Sequence, residues 1–422
     1  VKAILSGPQV PQGVVRVSGA KNSATRVLAA ALLSSGEVTL RNFPTALKDV
    51  KAKTTFIREL GVAVDLDDAC NTARIQPANV NFGGVRDFAV PIRTTYLLAA
   101  AGLLHEGRAY VPYPAGCKIG SRGYDMHVMV WKKLGCFVEE RAEYIEITGR
   151  LHGNEIDFPI STVGGTENAL ICGVVAQGET LVRNAYVTPE ISDLIHFLSE
   201  MGAIIKLEGT SLIRIQGLNG TLGSTAFSIM PDRIEALTWM ILAAASGGSM
   251  TILDVPFVEM EVPLLYLRAA GIDYFSSQNA AIVGPNSIGP NGIQPFELAC
   301  GTHPGVHSDM QSFFVFLALF ARGRSVIHDF RYPSRIGYAQ ELEKMVPGRV
   351  DAQTGMIRVK SGHAPVGANL MSTDLRSSMA LLMTAICSEG TSVVDNIDLA
   401  LRGYNKLPEK LAGLGVKCEW QA

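Results

Sequence analysis

Asn22–Pro44 reads NSATRVLAAALLSSGEVTLRNFP: an alanine-rich apolar run, a glycine, then a short stretch of strand-forming residues. The first part suits a helix that is apolar almost all round, and such a helix must be buried. The glycine suits a helix C-cap leading into a strand. The same order returns in Arg93–Pro114 (RTTYLLAAAGLLHEGRAYVPYP), Thr166–Val187 (TENALICGVVAQGETLVRNAYV) and Asp232–Pro256 (DRIEALTWMILAAASGGSMTILDVP). It returns again in Ser308–Phe330 (SDMQSFFVFLALFARGRSVIHDF) and Asp374–Ile397 (DLRSSMALLMTAICSEGTSVVDNI). Gly36, Gly107, Gly178, Gly248, Gly323 and Gly390 therefore recur about every 70 residues, a period longer than that of common solenoids. A second helix follows in each copy and keeps a polar face, as in FIRELG and WKKLG, so it should lie nearer solvent. Three such α/β units packed helix-side inward make one domain, and six make two with a cleft between them.

The bulk of the chain fits that picture. Its 422 residues exceed one compact core. A hydrophobic content of 47% with 18% charged residues is that of a folded protein. The net charge of −2 offers no basic field for nucleic acid. Apolar runs such as FFVFLALF are far shorter than the roughly 18–20 residues that span a bilayer. Seven scattered cysteines, without CxxC or a Cys/His cluster, argue against a disulfide framework or zinc site and point to the cytoplasm.

Polar residues that the repeat does not need are the informative ones. They gather just before the apolar helices or in the following loops: Lys21 and Asn22 in GAKN, Arg93 in IRTT, Thr166 to Asn168 in VGGTEN, and Asp232, Arg233 and Glu235 in PDRIE. The second half adds Asp309 in SDMQ, Arg335 in PSRIG, Asp374 and Arg376 in TDLRSS, and Arg402 in LRGYNK. A helix start preceded by glycine and flanked by cations favours an anion, which suits Lys21 and Arg122. Converging Arg and Lys side chains imply a ligand with several phosphate or carboxylate groups. Asp232 and Asp374 also suit helix N-caps.

Cys117 differs from the other cysteines. It sits in PYPAGCKIGSRGYD (Pro112–Asp125), with Lys118 and Arg122 close by, and neighbouring cations lower a thiol pKa and raise its reactivity. Cys172 and Cys387 lie in apolar helical runs and read as small core residues.

SGAKNSATRVLAAALL, the Gly-Cys-x-Ile-Gly-x-Arg loop, PDRIE, SDMQ, TDLRSS and RGYNKLPEKLAGLG occur in the order found in the enolpyruvyl transferases. The chain resembles that family along nearly its whole length. The resemblance implies two inside-out α/β barrel-like domains, each of three βαβαββ-type units. One would span 20–230 and carry the Cys117 loop as a lid. The other would join 1–19 to 231–422, with the active site in the cleft between them.

The implied reaction moves the enolpyruvyl group of phosphoenolpyruvate to the 3-hydroxyl of UDP-N-acetylglucosamine and releases phosphate, without metal or cofactor. Lys21, Arg122 and Arg402 would clamp phosphoenolpyruvate, with Arg335 and Arg376 in support. Asp309 would be the base at the hydroxyl, and Cys117 either the proton donor or an aid to product release. Asn22 and Asp309 would hold the sugar, and Arg93 with Arg122 the nucleotide phosphates. Asp125 and His127 lie in the segment that would line the uracil pocket, and Val163, Gly164, Arg233, Glu235 and Asp374 complete the substrate-binding set. The expected partners are small molecules alone, neither nucleic acid nor membrane, and the expected state is a monomer.

Departures from the family pattern are concentrated. Gly123-Tyr124 stand where relatives carry proline and an aliphatic residue, Pro333-Ser334 where Glu-Asn is usual, and the PISTVGG turn is longer by two residues. The phosphoenolpyruvate clamps survive and the changes touch the acceptor pocket. The alternative acceptor is another uridine nucleotide or nucleotide sugar, such as UMP.

Overall fold

A computed structural model describes residues 1–78, 80–84, 93–113 and 123–421. The six apolar runs are helices: α1 (Lys21–Ala30), α2 (Ala99–Glu106), α3 (Val163–Gly173), α4 (Arg233–Ser246), α5 (Gln311–Ala318) and α6 (Leu375–Cys387). Every residue of α5 and α6 is buried, as their lack of a polar face requires. The second helices, among them Lys48–Glu59 and Pro189–Glu200, bury one face and expose the other.

The chain divides into two compact units, one made by the described residues between Gly19 and Met230, the other by Val1–Ser18 with those from Pro231 onward. Each unit has its own apolar core, built around α1 to α3 in the first and α4 to α6 in the second.

The strands form small sheets with a shared connectivity. In the first unit Glu155–Thr162 runs parallel to Gln177–Ala185, which pairs antiparallel with Leu212–Leu218, and that strand with Ile204–Glu208. Ala226–Ser228, Val38–Arg41, Thr72–Gln76 and Ala63–Asp67 repeat the arrangement. Arg108–Pro112, Tyr144–Thr148 and Phe137–Glu140 give three strands of it among the described residues. In the second unit both N-terminal strands are absorbed. Gln12–Arg16 lies parallel to Ser249–Leu253, and Lys2–Gly7 pairs antiparallel with Gly390–Asp395 and Glu419–Gln421.

The recurrent glycines are not all helix caps. Gly107 closes α2 with a left-handed φ of 68°, but in α4 the cap is Gly247 (φ 67°), one residue before the repeat position. Gly178 and Gly390 lie within strands, still with φ of 92° and 85°. A positive φ, cheap only for glycine, marks the passage from helix to strand in five of the six units, at Gly107, Gly178, Gly247, Gly323 and Gly390, but not at Gly36. Gly19 is fixed by space instead, since a Cβ there would lie 1.8 Å from the Asn42 carbonyl oxygen.

Candidate active site

In the first unit the expected site residues in the described chain sit at or near the starts of helices and turns. Ala20 is extended, and Lys21 opens α1 with its Nζ 2.8 Å from the Asp49 carboxylate at the start of Lys48–Glu59. Asn22 follows, its carbonyl accepting from the Arg26 guanidinium, which also pairs with Glu167 of α3. Ser23 donates to Asp193, whose carboxylate also accepts from the Met230 N–H at 3.4 Å. Burial raises the Asp193 pKa to about 6 despite those hydrogen bonds.

Arg93 precedes the turn leading into α2, and its Nη2 donates to the Gly123 carbonyl at 2.7 Å. Asp125 opens the helix Asp125–Lys133 and is exposed. His127, two residues on, is buried, with its ring 4.7 Å from that of Tyr96, and burial takes its pKa down to about 3. It is therefore a neutral imidazole inside an aromatic cluster. Thr162 caps α3, whose first residues are Val163 and Gly164. A Cβ on Gly164 would stand 3.0 Å from His127 Nε2, a tight contact that the ring could meet only by yielding a few tenths of an ångström. Tyr124 donates to Glu140 at 2.5 Å and lines a groove of about 720 Å³ with Val128, Met129 and Lys132. Cys117 and Arg122 lie outside the described residues.

The second unit assembles a charged network. Asp309 stands in the turn Ser308–Met310, which leads into α5, with a side chain 19% exposed. Arg335 Nη1 reaches Asp309 Oδ1 at 2.8 Å, while its Nη2 reaches Asp374 Oδ1 at 2.8 Å. Asp374 caps α6 through the N–H groups of Arg376 and Ser377, as its position before an apolar helix suggested. Arg376 Nε lies 3.6 Å from Asp309 Oδ2, and its Nη2 3.7 Å from Asp232 Oδ2. The Arg376 guanidinium stands 5.3 Å from the Tyr404 ring centroid. Burial works to raise the Asp309 pKa, but Arg335, His307 and Arg376 outweigh it and hold the carboxyl well below its usual value. Arg335 is pulled the opposite way: burial opposes its charge, Asp374 and Asp309 prevail, and it stays fully cationic.

The remaining expected residues divide. Asp232 caps α4 through the Ile234 and Glu235 N–H groups, and Arg233 beside it is buried. Glu235 is occupied within the fold, accepting from Trp239 Nε1 at 2.9 Å, from the Ser18 N–H at 3.1 Å and from Lys410. Arg402 ends the turn Ile397–Arg402 and is half-buried. Among the described residues no group of three His, Cys, Asp or Glu side chains is arranged to hold a metal ion, and no helix is long and apolar enough to cross a membrane. Asp49, Asp193 and Lys53 carried no sequence signal, because each looks like an ordinary charge on a solvent-facing helix.

The family model described as EPSP synthase (3-phosphoshikimate 1-carboxyvinyltransferase) matches residues 5–411. The UDP-N-acetylglucosamine 1-carboxyvinyltransferase of Trichlorobacter lovleyi is 34% identical over 98% of this chain and 97% of its own. That of Anaplasma marginale (strain Florida) is 35% identical over 98% of each. Among solved structures, the enolpyruvyl transferase NikO from Streptomyces tendae aligns with a TM-score of 0.88 at 23% identity, covering 99% of this chain and 98% of that one. An EPSP synthase from Acinetobacter baumannii aligns with a TM-score of 0.73 at 17% identity over 99% of each. Both likenesses carry the mixed α/β fold over the full length.

Proposed function

Since the chain belongs to the enolpyruvyl transferases of the EPSP synthase family, we propose that its acceptor for the enolpyruvyl group of phosphoenolpyruvate is UDP-N-acetylglucosamine, attacked through the 3-hydroxyl. The observation that carries the mechanism is Asp309, a partly exposed carboxylate held ionised by Arg335 and Arg376 at the start of a buried helix. The acceptor oxygen bonds to C2 of phosphoenolpyruvate while the methylene carbon gains a proton. Elimination then takes a proton back from that carbon, breaks the C2–O bond to phosphorus and frees inorganic phosphate. Asp309 receives the hydroxyl proton. Lys21, Arg122 and Arg402 hold the phosphate and carboxylate of phosphoenolpyruvate, and Cys117 serves proton transfer or product release.

Support for the acceptor comes from the two curated relatives named for that sugar nucleotide. One observation favours a second reading. Arg93, expected on the nucleotide phosphates, is drawn to the Gly123 carbonyl, and Tyr124 is tied to Glu140, at the positions where this chain departs from the family pattern. A second acceptor, a simpler uridine nucleotide such as UMP, would use that altered pocket. Phosphate release from phosphoenolpyruvate, assayed with each acceptor, decides. Turnover with UMP and none with UDP-N-acetylglucosamine would overturn the first reading.

Two variants test the roles. Lys21→Ala is expected to raise the KM for phosphoenolpyruvate by about tenfold or more, and that for the acceptor less, as expected for loss of a charge-assisted contact. Equal increases would place Lys21 elsewhere. Cys117→Ser is expected to lower kcat at neutral pH by about 10²-fold or more, the scale of a lost proton-transfer group. Near-normal turnover would take the thiol out of the reaction.

A further inference from the structure

Lys53 is fully buried in the first unit, on the inner face of Lys48–Glu59. Its Nζ donates to the Thr25 carbonyl of α1 at 2.5 Å and to the Thr94 carbonyl at 3.0 Å. Thr25 is one turn along α1 from Lys21, and Thr94 follows Arg93 directly. A buried ammonium is expensive, and simple packing would use an apolar side chain. Here it joins the two backbone segments that present Lys21, Asn22 and Arg93. The Arg26–Glu167 pair extends the same arrangement to α3, which begins at Val163 and Gly164.

We propose that Lys53 is a positioning residue: its ammonium fixes the spacing between the Lys21–Asn22 turn and Arg93, and so the geometry in which the substrate anions are held. This rests on the substrate-binding reading of Lys21 and Arg93. The charged groups that act on it are Glu167 on α3 and Arg26 on α1, while Lys21 and Asp49 each lie one turn away in sequence from Thr25 and Lys53, and Arg93 directly precedes Thr94. Burial takes the Lys53 pKa down to about 7, with Glu167 opposing that shift and Arg26 adding to it. The ammonium therefore weakens as a tie when pH rises through neutrality.

The test compares Lys53→Met and Lys53→Arg with the unaltered enzyme in phosphate release. It uses phosphoenolpyruvate and whichever of UDP-N-acetylglucosamine and UMP is turned over, with melting temperatures in parallel. Lys53→Met is expected to raise both KM values about tenfold or more, the scale of a small misplacement. Its Tm should hold or rise, because Arg26 and Glu167 are left balanced. In the unaltered enzyme kcat/KM should fall as pH rises through about 7. That limb should vanish in Lys53→Arg, whose charge is permanent.

Unchanged KM values in Lys53→Met, or a Tm loss without a KM change, would overturn the proposal. Should Lys53→Met not fold, the pH profile of Lys53→Arg decides, since a limb persisting there overturns it. Lys21→Ala and Arg93→Ala separate the two levels. If both leave KM unchanged, the substrate-binding reading itself fails. If both impair KM while Lys53→Met does not, the Lys53 proposal alone fails. If neither uridine substrate is turned over, calorimetric binding of phosphoenolpyruvate decides, and equal affinity in Lys53→Met overturns it.

Discussion

Asp309→Asn is expected to lower kcat by about 10²–10⁴-fold while leaving the fold intact, the usual scale for a positioned proton-transfer group. Arg335 keeps Asp374 at 2.8 Å and Arg376 keeps Asp232 at 3.7 Å, so neither guanidinium is stranded by the change. The amide is nearly isosteric and can still accept from Arg335. What it lacks is the charge and the lone pair that takes the hydroxyl proton. A carboxyl held well below its usual pKa is a weak base, and a free hydroxyl would not surrender its proton to it. The proton becomes acidic only as the oxygen bonds to C2 of phosphoenolpyruvate, so transfer must accompany or follow bond formation. Two consequences are measurable. The acceptor KM should change far less than kcat, because the group acts mainly in the transition state. The unaltered enzyme should show no acid limb from Asp309 between about pH 5 and 8, since its carboxyl is ionised throughout. A kcat within about threefold of the unaltered enzyme would remove Asp309 from the chemistry.

The repeated units were legible because burial demands a pattern. A helix with no polar face can only be interior, and six such runs recur in the same order as their strands. Strand partners were not legible from residues alone. Ala226–Ser228 pairs with Val38–Arg41 from far along the chain, and local pattern carries no record of that partner. Capping was readable at Asp232 and Asp374, where an acid precedes an apolar helix. The direction in which a charged side chain points was not. Glu235 and Asp309 both stand near helix starts, yet Glu235 turns inward to Trp239 and Lys410 while Asp309 stays partly exposed. His127 likewise looked available for a ligand and is packed against Tyr96. Lys53 was invisible for the opposite reason, because a lysine on an amphipathic helix is ordinarily solvated.

Arg335→Leu is expected to cost about 3–5 kcal/mol of stability at neutral pH, the scale of a buried pair broken on one side. Arg335 is 5% exposed, and its guanidinium spans two carboxylates at once, Nη1 to Asp309 and Nη2 to Asp374. Leucine removes both carboxylate bonds and a third to the Ser308 carbonyl, leaving Asp374 buried and Asp309 largely enclosed without them. Asp374 keeps its bonds from the Arg376 and Ser377 N–H groups, whereas Asp309 keeps only the more distant Arg376 among its arginine partners. The loss should carry a pH signature. In the unaltered protein both aspartates have lowered pKa values, with burial opposed and outweighed by Arg335. Their stabilisation is fully present above the unfolded carboxyl value of about 4 and fades as pH falls through the folded values. In the variant, burial acts with less opposition and raises the folded values, so its penalty is largest at neutral pH and relieved as the carboxyls take up protons. The stability gap should therefore narrow steadily from about pH 7 towards pH 4, and thermal melts across that range measure it. Arg335→Lys should recover only part of the gap, because one ammonium cannot reach both carboxylates as the planar fork does. A gap that stays constant with pH would mean that Arg335 stabilises by packing, and that the charge network does not hold Asp309 in place.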